Sequence, residues 1–86
     1  MINVKEAVKK AAEYFMDLYP SQFSNVLVEE IERTGNDWLI TLGYDVPSDI
    51  RSLLASKAAR RFKLLRINGD TGEVISMKIR EVEHVE

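Results

Sequence analysis

Apolar positions near the start of the chain recur at helical spacing. Val4, Val8, Ala11, Phe15 and Leu18 form one stripe with Ala7 and Ala12 beside it, while Lys5, Lys9, Lys10, Glu13 and Asp17 fall mostly on the opposite side. The spacing predicts an amphipathic helix over residues 3–19. Asn3 is suited to cap it, Glu6 stands three residues on as in a capping box, and Ile2 is placed to staple against Ala7. Pro20 and Ser21 end it.

From residue 26 the period changes. Val26 to Arg33 is β-branched and partly alternating, and Thr34-Gly35-Asn36-Asp37 carries turn chemistry, so a strand over 26–33 leads into a hairpin. In the following strand, 38–45, the large residues Trp38, Ile40, Leu42 and Tyr44 alternate with Leu39, Thr41 and Gly43, which points one face of large side chains toward the helix. The phase of the first strand is broken, because Val26 and Val28 have one parity and Leu27 and Ile31 the other. A bulge near Glu29 and Glu30 reconciles them. Two more strands, 61–68 and 73–82, flank a tight turn at Gly69-Asp70-Thr71-Gly72, and the last has Ile75, Met77 and Ile79 in alternation. Met16 and Met77 read as core fillers.

The segment 46–60 is expected to be a loop between the second and third strands. Ser48 there is also suited to cap a short helix with Ile50, Leu53, Leu54 and Ala58 on one side, whereas Pro47 and the serines favour a loop. Connections of this length are uncommon in compact domains and are usually functional or disordered.

A helix of about 16 residues is about 24 Å long, and a strand of 7 residues about 23 Å, so one covers the other lengthwise. The expected fold is therefore α+β, one domain over residues 1–86, with the helix packed on a four-stranded antiparallel meander. Length and composition fit this reading: 86 residues, 45% hydrophobic and 30% charged, suffice for one self-contained core.

Cysteine is absent, which excludes disulfides, thiolate metal sites and thiol chemistry. The first residues have charges interrupting every apolar stretch, so neither a signal-peptide core nor a membrane span is expected and the expected location is cytoplasmic. A net charge of −2 gives no global attraction to nucleic acid or anionic lipid.

The single histidine, His84, lies three residues from the end, without convergent partners, and is read as a surface residue. Glu29, Glu30 and Glu32 are read as a solvated strand edge, since neighbouring strand residues point to opposite faces. No catalytic, cofactor-binding or metal-ligating set is expected. The one sharp charge asymmetry is the acid-free stretch between Arg51 and Asp70, which holds Lys57, Arg60, Arg61, Lys63 and Arg66. Basic residues of this kind guard a strand edge against aggregation, and they also suit an acidic partner surface. Nucleic acid would call for a larger basic field with stacking aromatics, of which Phe62 is the only candidate nearby. Asn68 to Gly72 joins two strands and lacks the phosphate-loop lysine, so it is read as a hairpin turn.

The order helix, strand, Trp/Tyr-rich strand and hairpin, with Asp70-Thr71-Gly72-Glu73-Val74 at the last turn, resembles the PepSY-like group within the cystatin-like folds. That resemblance implies a small inhibitory or regulatory module that binds and does not catalyse. Small immunity proteins use similar one-helix sheets. The leading expectation is a non-enzymatic module for binding another protein through the loop and its basic flank. The alternative is a small-ligand domain using the cleft between helix and sheet, lined by Trp38 and Tyr44. Homodimerisation through a sheet edge is a third expectation.

Overall fold

The structure is a computed structural model, and it describes residues 1–47 and 60–80. Helix α1 (Val4–Leu18) is followed by strands β1 (Ser24–Thr34), β2 (Asp37–Asp45), β3 (Arg60–Ile67) and β4 (Val74–Arg80). The four strands make one antiparallel sheet in the order β1-β2-β3-β4, with α1 packed on one face, a small α+β fold. The expected short helix after Ser48, together with Lys57, His84 and the strand residues 81–82, lies outside the described residues.

Asn3 caps α1 as expected, its Oδ1 accepting from the Glu6 N–H at 2.9 Å. The preceding residue is tied to the sheet at both ends: the Ile2 N–H donates to the Gly69 carbonyl at 2.7 Å, and the Ile2 carbonyl accepts from Trp38 Nε1 at 3.4 Å. These bonds fix where the helix starts over the sheet. At the other end the Tyr19 N–H donates to the Phe15 carbonyl, and Ser21 takes a positive φ of 64° as the chain turns toward β1.

Only the centre of the apolar stripe is buried. Ala7, Ala11 and Phe15 have no exposed surface and meet Ile40, Leu42 and Tyr44 of β2 and Leu65 and Ile67 of β3, with Val8 and Met77 partly buried beside them. Val4 and Leu18 are exposed, because the stripe is wider than the strip of sheet it meets. Met16 is exposed too, which corrects its assignment to the core. Met77 packs where expected. At the C-terminal end of α1 the gap is filled by aromatic rings: Phe15 lies 5.0 Å from Tyr44 and 5.1 Å from Tyr19, and Phe23 lies 4.6 Å from Tyr44, all tilted.

The irregularity anticipated in β1 is present. Val28 pairs with Leu42 and Glu30 with Thr41, leaving Glu29 as the extra residue, and a second register shift lies between Ser24 and Leu27, where Asn25 has φ 52°. In β4 the expected alternation is broken at its start: Ile67 pairs with Val74 and Arg66 with Ser76, so Ile75 is bulged out. β3 begins at Arg60, one residue earlier than expected, because Arg60 pairs with Asp45.

The two hairpin turns touch. Gly35 supplies the positive φ (58°) that the two-residue β1–β2 turn needs. In the β3–β4 turn, Asn68 Oδ1 accepts from the Asp70 and Thr71 N–H groups, at 2.8 and 3.1 Å. A Cβ on Gly69 would sit 1.5 Å from the Asn36 carbonyl oxygen, so this glycine lets one turn lie against the backbone of the other. Gly69→Ala is accordingly expected to cost more than about 2 kcal/mol, since backbone must move. Gly35→Ala, with open space around it, should cost only the left-handed penalty of about 1–2 kcal/mol. Urea denaturation of the two variants measures the difference.

Candidate interaction surface

Strand alternation decides which side of the sheet each charged residue serves. On the face away from α1, three arginines reach across the strands to carboxylates. Arg60 of β3 donates from one guanidinium nitrogen to Asp45 Oδ1 at 3.0 Å and to the Asn25 carbonyl at 3.1 Å, and from the other to Glu29 Oε1 at 3.2 Å. It lies over Gly43, where a Cβ would come within 2.9 Å of both the guanidinium and the Glu29 side chain. The glycine in β2 thus leaves the lane through which Arg60 crosses from β3 to β1. Arg66 Nε donates to Asp37 Oδ2 at 2.8 Å, and Asp37 Oδ1 accepts from the Gly69 N–H at 3.4 Å. Arg80 of β4 donates to Thr41 Oγ1 of β2 at 2.7 Å and forms an ion pair with Glu30 of β1. Thr41, the one buried polar residue of the described core, is thereby satisfied.

These struts leave two shallow depressions beside Arg80, of about 210 and 220 Å³. One is floored by Leu39 and Leu64 and the other by Phe62, with Glu30, Thr41 and Arg80 common to both. Each is smaller than the roughly 300–1,000 Å³ typical of small-molecule pockets. Among the described residues, no three His, Cys, Asp or Glu side chains converge as a metal site would require. The helix–sheet cleft is filled: Tyr44 is buried among Phe15 and Phe23, and Trp38 is half-buried under the Arg33 guanidinium, 4.6 Å from its ring.

The basic residues singled out from sequence do not share one surface. Arg60 and Arg66 point to the open face and are ion-paired, whereas Arg61 and Lys63 lie on the helix side, paired in register with Tyr44 and Leu42. Lys63 Nζ sits 6.0 Å from the Tyr19 ring. Burial, and then the like charge of Arg61, push the Lys63 pKa down. Burial raises that of Tyr44. Among the described residues neither Arg61 nor Lys63 forms an ion pair. Glu29 and Glu30, read from sequence as a solvated edge, are partners of Arg60 and Arg80. Asp37, Asp45, Gly43 and Arg80 carry the open face, and sequence reasoning did not single them out.

Within the described sheet, the exposed large apolar side chains lie on the two edge strands. α1 packs chiefly on β2, β3 and β4, and of the large apolar residues of β1 it is Val26 that is packed against the core. Leu27 is 57% and Ile31 44% exposed, with Val28 exposed between them; on β4, Ile75 is 51% and Ile79 58% exposed. Val28 and Ile31 pair with Leu42 and Ile40, so they face the helix side of the sheet without the helix above them.

The described residues define a small α+β fold with one helix on an antiparallel sheet. No protein-family model matches the chain, and neither does any curated protein or solved structure. Among the described residues, no helix is long and apolar enough to cross a membrane.

The open-face carboxylates make stability depend on acid. The hydrogen bond from Arg66 holds Asp37 below the usual carboxylate range, helped by the Gly69 N–H. Asn25 first, and Arg60 second, do the same for Asp45. A folded-state pKa below the unfolded one, about 3.9 for aspartate, stabilises fully above that value and is lost as pH falls through the lower folded one. Urea denaturation between about pH 5 and pH 2 should show stability falling below about pH 4. Asp37→Asn should flatten that fall and leave the curve above pH 5 parallel to wild type.

Proposed function

We propose that the chain is a non-enzymatic protein-interaction module whose contact surface is the β1 side of the sheet. The observation that carries this reading is the exposed apolar pair Val28 and Ile31 on the helix side of an eleven-residue edge strand, outside the main contact of α1, with Leu27 exposed on the opposite face. Clusters of exposed large apolar side chains mark contact sites more often than scattered single ones do. The neighbouring carboxylates support it further. Arg60 and Arg80 draw Glu29 and Glu30 toward the open face, so a partner at Val28 and Ile31 meets apolar surface without desolvating those two charges. A regulatory or inhibitory role of the kind implied by the PepSY-like resemblance belongs to the same proposal.

The basic pair Arg61 and Lys63 extends this reading, because both are cationic, lie on the helix side and form no ion pair among the described residues. They suit an acidic margin on the partner, where charges chiefly set association rate and orientation.

Affinity capture from lysate, with three baits of equal fold by circular dichroism, tests the proposal. A protein held by wild type should be recovered at least tenfold less by Val28→Lys/Ile31→Lys, and less in a salt-dependent way by Arg61→Glu/Lys63→Glu. Equal recovery by wild type and the Val28/Ile31 variant, or nothing specific to wild type, would contradict it.

A further inference from the structure

We propose that β4 is a self-complementary edge on which a second copy of this chain docks, antiparallel, with the two-fold axis at Met77. This inference is independent of the reading at β1, since it uses the opposite edge of the sheet.

The strand reads Val74-Ile75-Ser76-Met77-Lys78-Ile79-Arg80. An antiparallel pairing about Met77 places Ile75 to Ile79 opposite the same five residues of the other copy. Ile75 then faces Ile79 twice and Ser76 faces Lys78 twice, while Val74, on the far side of the bulge at Ile75, turns to the helix side and Arg80 to the open face. No like charges are opposed, the hydroxyl meets the ammonium, and the two most exposed isoleucines of the described residues cover each other. Other registers are worse. An axis at Lys78 opposes two ammonium groups, and an axis at Ser76 leaves Ile79 outside the paired stretch. An axis between residues matches apolar with polar positions along the strand.

The environment of the strand agrees with this register. Arg80 directs its guanidinium onto the open face toward Thr41 and Glu30, which keeps that charge off the seam. The bulge at Ile75 releases that side chain from β3 and turns it to solvent. The other edge is the more irregular one: β1 carries two register shifts and three glutamates, against a single shift near the start of β4. A two-fold axis normal to the sheet keeps both helices on the same face of a continuous eight-stranded sheet. A single strand pair buries less than the roughly 1,200–2,000 Å² of stable complexes, so the dimer is reversible and concentration-dependent.

The chain has no cysteine, so single introduced cysteines report the register without background. Directly opposed residues have Cα atoms about 4.5–5.5 Å apart, inside the disulfide range, whereas a residue two positions from the axis is about 13 Å from its own copy. Under mild oxidation of the folded full chain, Met77→Cys should cross-link at least tenfold faster than Ile75→Cys or Ile79→Cys alone, and an equimolar mixture of those two should cross-link readily. Because Met77 is half-buried, a second measurement avoids substituting it. Sedimentation from about 10 µM to about 1 mM should show wild type moving toward dimer mass. Ile75→Lys/Ile79→Lys, with like charges opposed, should weaken that dimer at least tenfold, and Ile75→Glu/Ile79→Lys should restore it. A wild type that stays monomeric to about 1 mM, or equal behaviour of the two double variants, would overturn the proposal.

Discussion

Among the described residues one helix has to cover four strands, and it is too narrow to do so. A helix with its side chains is about 10–12 Å across, while four strands at about 4.8 Å spacing span more than that before side chains are added. The contact therefore concentrates on a strip. Ala7 and Ala11 let the backbone of α1 come close over Ile40, Leu65 and Ile67, and Phe15 wedges the other end where Tyr19, Phe23 and Tyr44 fill the wider gap. What lies outside the strip is left to other means of stabilisation. Exposed Val28 and Ile31 on β1, and exposed Val4 and Leu18 on the helix, follow from this geometry.

The face opposite α1 is held differently. A second apolar layer is absent from it among the described residues, and long charged side chains lie across Leu39, Phe62 and Leu64 in its place. Arginine suits the task because its planar guanidinium reaches two acceptors at once, as Arg60 does with Asp45 and Glu29. Partly exposed pairs of this kind contribute little each, about 0–1 kcal/mol. Their larger effect is to cover half-buried apolar groups with aliphatic stems and to tie β1, β2, β3 and β4 together in one register. Gly43 is the concession in β2 that makes the crossing of Arg60 sterically feasible.

Much of this architecture is legible in the sequence, for reasons that can be named. The stripe Ala7, Ala11, Phe15 and the alternation Trp38, Ile40, Leu42, Tyr44 are local patterns that one buried face enforces, and the parity break in β1 betrays the bulge at Glu29. The width of the buried strip is not local, which is why Val4, Met16 and Leu18 read as core and lie at the surface. The basic run Arg60 to Arg66 looks like one cationic patch along the chain, but neighbouring strand residues point to opposite faces, and the acids that neutralise Arg60 and Arg66 come from β1 and β2. Such pairs depend on register across 15 to 31 residues of sequence, as Arg60 with Asp45 and Arg60 with Glu29 illustrate. Alternation alone does not reveal them.

The central claim, that α1 secures the middle of the sheet and leaves its edges bare, is tested most directly by amide hydrogen exchange followed residue by residue in dilute solution. The account predicts the slowest exchange in β2, β3 and the Ala7–Phe15 segment of α1, with fast exchange at the outward-facing amides of β1 and β4. Protection of β1 equal to that of β2, or rapid exchange through Ala7, Ala11 and Phe15, would contradict it.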